Sequence, residues 1–249
     1  MKNKLVLLSL FSIFLSSCNK DIISEISKDS ISESITDSSI SNIEIESVST
    51  EEKLSSEVID NGESEEVSKE NIYYYFDENI TLYINPSVQY SNLYTNNLGN
   101  EGKHMNDISI LLVSMLDSYT NITVFSNNSM PGKSLSESVL ESNNKNVDYH
   151  LAIHSNAGGG KGSEIFYSQT SYNFSKSILD SLNEVLPYKT RGLKDGSKAL
   201  YEIKSTKASA CLLEILFHDE ISQATFIVEN KPLIAKAIYE GIVSYFLEK

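Results

Sequence analysis

Cysteine is scarce. The 249 residues hold two, Cys18 and Cys211, and if Cys18 is taken up by a modification no disulfide is possible. Cys211 stands in the apolar run ACLLEILF and reads as a packed thiol rather than a reactive one. Positive charge is also short. Twenty Lys and Arg face 34 Asp and Glu, a formal net charge of −14, and phosphate binding needs clustered cations, so a nucleic-acid partner is excluded. The deficit is uneven: residues 19–72 carry 15 acidic and 4 basic side chains, residues 73–249 carry 19 and 14, and the first 18 residues are net positive. The apolar run near the N-terminus, LVLLSLFSIFL, has 11 residues, too few to span a bilayer as a helix. Aromatic residues are missing from Asn19 to Ile72, and no internal repeat is visible.

What is present begins with a targeting segment. Basic MKNK, the apolar run and then LSSC, ending at Cys18, resemble a lipobox, the cleavage and lipidation signal of bacterial lipoproteins. The plainer alternative is a signal peptide cut near Ser17. Residues 1–18 are therefore expected to be a lipoprotein signal segment ending at the lipobox Cys18, and the chain to sit outside the cytoplasm, anchored to the membrane through lipid on Cys18. Residues 19–72 hold 14 Ser among their acids, with Ile scattered at no helical or strand period. Such a segment cannot bury enough surface to offset ordering, so it is expected to be a disordered tether spanning about 40 Å.

At Tyr73 the composition changes, and all 14 tyrosines follow. TLYINPS (81–87), ITVFSN (122–127), YHLAIHS (149–155), SEIFYS (163–168) and ACLLEILFH (210–218) read as strands. Residues 106–119, with Asn106 as a possible cap, and residues 134–144, 173–186 and 230–249 read as helices, the last with Pro232 in its first turn. Strands alternate with helices and are mostly continuous apolar runs. The expected fold is α/β: a single, mostly parallel twisted sheet with helices on both faces, over residues 73–249.

Three places carry chemistry. His150 and His154 lie four apart on a strand, on one face but about 13 Å apart, so one ion cannot bridge them. His154 ends its strand before three glycines, where open α/β sheets place ligands. His150 lies further back and reads as a hydrogen-bonded structural histidine. Glu214 is an acid inside an apolar strand; burying a carboxylate is costly, and a raised pKa suited to general-base work is one reason to do it. GNEGKHMND (99–107) sets Glu101 and His104 three apart at the start of a helix, where they share a face.

AIHSNAGGGKGSEIFY, LLEILFHDE and IAKAIYEGIVSYF together resemble the zinc-dependent N-acetylmuramoyl-L-alanine amidases of bacterial cell walls, the Amidase_3 catalytic domain, over about residues 79–248. NPSVQ (85–89) is similar to a Pro-Ser-x-Gln pattern in a branch from low-GC Gram-positive bacteria. The resemblance implies cleavage of the amide between N-acetylmuramic acid and L-alanine in peptidoglycan, by a monomer using Zn2+. It makes His154 and Glu101 metal ligands and Glu214 the catalytic base. It places Ser155, Asn156 and His218 around the ligands, with His218 and Asp219 as a hydrogen-bonded pair. The chain departs from the family after the first strand, where Asp-Pro-Gly-His is usual and no histidine stands here. The third donor is then His104 or Gln89. The same departure supports an alternative, a peptidoglycan-binding lipoprotein that keeps the fold without turnover.

Overall fold

The computed structural model describes Phe76, residues 78–119 and residues 121–249. The expected signal segment, Cys18 and the whole of the acidic tether lie outside the described residues. Five apolar runs form strands where the sequence predicts them: β1 (Ile80–Pro86), β2 (Ile122–Ser126), β3 (Tyr149–Asn156), β4 (Glu164–Tyr167) and β6 (Ser209–Phe217). A short sixth strand, β5 in chain order (Gly192–Asp195), lies at one edge. The helices are α1 (Glu101–Leu116), α2 (Leu135–Lys145), α3 (Tyr172–Val185), α4 (Tyr201–Ser205), α5 (Ile221–Glu229) and α6 (Lys231–Glu248), with one turn of 3-10 helix at Thr95–Asn97.

The six strands make one sheet in the order β2-β1-β3-β6-β4-β5. β2, β1, β3 and β6 run parallel. β4 pairs antiparallel with β6, and β5 runs parallel to β4. The sheet is thus mixed, mostly parallel as expected but with one antiparallel pairing. Leu151, Ala152 and Ile153 of β3 have no exposed surface, which is why this strand reads as a continuous apolar run rather than an alternating one.

Successive residues of β3 face opposite sides of the sheet. His150, Ala152 and His154 share one side. Over it lie α2, whose Ser138 and Ser142 bond to Asn85 and His150, and α4, whose Ile203 clusters with Ala152 and Leu212. The other side packs against α1 and α3, and α6 packs against both helices. A Cβ on Gly241 of α6 would come within 2.5 Å of the Ile178 Cα on α3, so the close approach of these helices requires a glycine.

The start of α1 differs from the expected cap at Asn106. The helix begins at Glu101, five residues earlier, with the Asn100 side chain accepting the Lys103 N–H at 2.9 Å. Asn106 lies buried inside the helix. The shift matters because it puts Glu101 in the first turn, at the C-terminal end of β3.

After β3 the chain turns through the glycine loop. Gly162 has φ +87°, and a Cβ there would lie 1.9 Å from the Lys189 carbonyl oxygen. Backbone cannot yield as a side chain can. Gly162→Ala is therefore expected to cost about 2 kcal/mol or more of unfolding free energy, measured by denaturant titration.

Candidate active site

The parallel pairing of β3 with β6 sets His154 beside Glu214 in register, and the antiparallel pairing sets Glu164 on the other flank of Glu214. A register shift between His154 and Asn156 ends the regular pairing at this edge. Glu101 closes on the same point from α1. Its Oε1 lies 2.9 Å from His154 Nδ1 and accepts the Ser155 N–H at 3.4 Å. Asn92 donates to Glu101 Oε2 at 2.7 Å and to Gln89 Oε1 at 2.9 Å, tying the two together.

Charge follows from this crowding. Burial alone would raise Glu101, but His154, Asn92 and Ser87 hold its carboxyl below the usual range. Burial alone would lower His154, yet the bond to Glu101 and the charges of Glu202, Glu101 and Glu214 raise it. Burial pushes Glu214 up to about 7; the adjacent Glu101 and Glu164 add to the rise and His154 offsets part of it. Its Oε2 is buried and has no hydrogen-bond partner among the described residues. A carboxylate poised near neutrality, with a free oxygen beside a histidine, is built to accept a proton.

The flanking residues take distinct roles. Ser155 Oγ lies 3.0 Å from His218 Nδ1, and the His218 ring stacks on Tyr94. The Asn156 amide donates to Glu164 at 2.8 Å. Glu164 also binds Lys194 and, at 2.7 Å, Arg191, which hold its carboxyl low against the opposing effect of burial. His218 and Asp219 are not paired as expected. Asp219 instead accepts the Gly158 and Gly159 N–H groups at 2.6 and 2.8 Å and pins the glycine loop. His150 has no exposed surface and bonds to Ser142 and to Glu202, an acid that sequence reasoning passed over. The signal was His150 itself, a histidine in an apolar strand that needed a partner from elsewhere. Cys211 is a free, fully buried thiol that burial pushes up to about 12.

The donor set can be tested against a metal ion. Glu101 and His154 converge as carboxylate and imidazole, a pair that suits zinc. Gln89 Nε2 lies 3.3 Å from the same His154 nitrogen, so the amide must turn over to offer its oxygen there. His104 does not join them: its Nε2 bonds the Leu98 carbonyl at 2.6 Å and its ring packs on Tyr94. Among the described residues no three His, Cys, Asp or Glu side chains are placed to hold one ion. Glu101 and His154 fit zinc as a two-donor core, with Gln89 the adjacent third group.

A family profile described as N-acetylmuramoyl-L-alanine amidase, Amidase_3, matches residues 90–244. Among solved structures the chain is similar to the catalytic domain of CwlV, an N-acetylmuramoyl-L-alanine amidase from Bacillus (Paenibacillus) polymyxa var. colistinus. The identity is 17%, over 68% of this chain and 99% of that one, with a TM-score of 0.61. It is also similar to the N-acetylmuramoyl-L-alanine amidase AmiC2 of Nostoc punctiforme, at 16% identity over 69% and 98%, TM-score 0.62. For Ami1 of Mycobacterium smegmatis the values are 15%, 69% and 99%, TM-score 0.60. At these identities the likeness concerns the fold. No curated protein matches the chain.

Proposed function

The chain belongs to the Amidase_3 family of N-acetylmuramoyl-L-alanine amidases, and from that premise we propose that it hydrolyses the amide between N-acetylmuramic acid and L-alanine in peptidoglycan, with Glu214 as general base. One observation carries the reading: Glu214 stands in register beside His154, with a buried oxygen that has no hydrogen-bond partner among the described residues.

His154 and Glu101 would hold the zinc ion, with the Gln89 amide beside them. The chemistry zinc supplies when bound is polarisation of a carbonyl and a lower pKa for water. Glu214 Oε2 takes the proton of the attacking water and gives it to the departing alanine nitrogen, leaving a lactyl carboxylate and a free amine. Asn92 keeps Glu101 aimed at His154 from the far side. Asp219 holds Gly158 and Gly159, at which a Cβ would meet little, so the backbone can lie close to a bulky glycan strand. Gly160 and Gly162 are needed by the protein itself, since side chains there would meet Phe217 and Lys189. The lipobox-like segment and the acidic stretch after it support a lipid-anchored protein facing the wall.

The test is a product count on purified peptidoglycan. Incubation with the full chain is expected to expose L-alanine amino groups and no new reducing sugar ends. Reducing ends alone would mean glycan cleavage. Neither product, with the protein still sedimenting onto the wall, would favour a binding protein without turnover.

A further inference from the structure

Glu202 has entered so far only as the partner of His150 and as one of the charges near His154. It sits in the short helix α4 and is 3% exposed. Its Oε1 takes the His150 ring nitrogen Nε2 at 2.8 Å and the Asn85 amide. Its Oε2 lies 4.0 Å from Nε2 of His154, within ion-pair reach though beyond a direct hydrogen bond. The carboxylate thus spans the two histidines over Ala152, the small residue between them on that face of β3.

The holders of Glu202 are themselves held. His150 has Ser142 on its other nitrogen at 3.0 Å and stacks on the Tyr83 ring. Asn85 donates to Ser138 at 3.2 Å and accepts from Asn127 at 3.0 Å. A buried carboxylate is costly unless it is paired, and His150 pairs only one of its oxygens. The second is directed at the one histidine that carries the site. His154 has Glu101 against Nδ1 and Glu202 toward Nε2, so its two nitrogens meet different carboxylates. At 4.0 Å the carboxylate acts on the ring through its charge, which favours a proton on Nε2 and leaves Nδ1 facing Glu101.

We propose that Glu202, clamped by His150 and Asn85, is a positioning residue of this active site: it engages Nε2 of His154 and keeps Nδ1 turned to Glu101. The role rests on the zinc reading above for its effect on turnover, but its grip on the ring does not.

Two readouts on the purified full chain test it, in wild type, Glu202→Gln and Glu202→Asp. The first is the set of imidazole nitrogen resonances of the zinc-free protein, where four histidines keep the spectrum simple. The His154 Nε2 signal is expected to move in both variants, more with Gln than with Asp. The second is zinc affinity by chelator competition, expected to weaken about ten- to hundred-fold in Glu202→Gln. If the Gln variant does not fold, the Asp variant keeps charge and burial and decides alone. A folded variant with unmoved His154 signals and zinc affinity within about twofold of wild type overturns the proposal, because a purely structural acid would act on stability only. Wild type that binds no zinc would sink the zinc reading, while the nitrogen spectrum would still decide the role of Glu202.

Discussion

Glu214→Gln is expected to abolish amide cleavage and make the protein more stable. Loss of a general base costs about 10²- to 10⁴-fold in rate. The gain follows from the same burial. Glu214 is raised from 4.5 to about 7 in the folded protein, so its neutral form is the one the fold favours. Its contribution to stability is complete below pH 4.5 and is lost as pH rises through about 7, where a charge is forced into the site. Glutamine never carries that charge. In zinc-free protein the variant should therefore match wild type near pH 4.5 and exceed it by about 2–3 kcal/mol above pH 8. Urea unfolding across that range reads the difference, and equal stability at both ends would remove the case for a strained carboxylate. A dication beside Glu214 lowers its pKa. The acidic limb of the rate profile is then expected between the ordinary carboxylate range and 7.

His154→Ala is expected to remove zinc binding and also to destabilise the chain. It leaves Glu101, 1% exposed, without its cation. Removing one member of a buried pair costs about 3–5 kcal/mol. The pH window follows from the two shifts. Glu101 is lowered from 4.5, so its share is present above that value and lost as pH falls through the lowered one. His154 is raised from 6.5, so its share is present below that value and lost as pH rises through the raised one. The penalty of the substitution should peak between about pH 4.5 and 6.5 and shrink on both sides. A penalty independent of pH would show that the histidine only fills space.

What the sequence displays of this site are its anomalies. His154 breaks an apolar strand at its end, and Glu214 breaks one in the middle, and both stand where those breaks place them. Glu202 breaks nothing: in LYEIK it looks like any acid near a helix start, and α4 is too short to show a period. β5, GLKD, has no apolar run because it lies at the sheet edge. The apolar spacing marks the helix only from Asn106, although α1 begins at Glu101; within that first turn a Cβ on Gly102 would meet the Tyr90 ring at 2.7 Å, so the glycine serves packing inside a helix. His104 and Glu101 look equivalent by spacing. Only the fold separates them, turning one ring to the Leu98 carbonyl and the other side chain to His154.

The most direct test strips the full chain with a chelator, returns zinc in steps, and follows L-alanine amine release from peptidoglycan. The account predicts no release without zinc, saturation near one zinc per chain, and a zinc requirement at least about tenfold higher in Glu101→Gln. Undiminished release in the chelator, or the same zinc requirement in Glu101→Gln as in wild type, would contradict it.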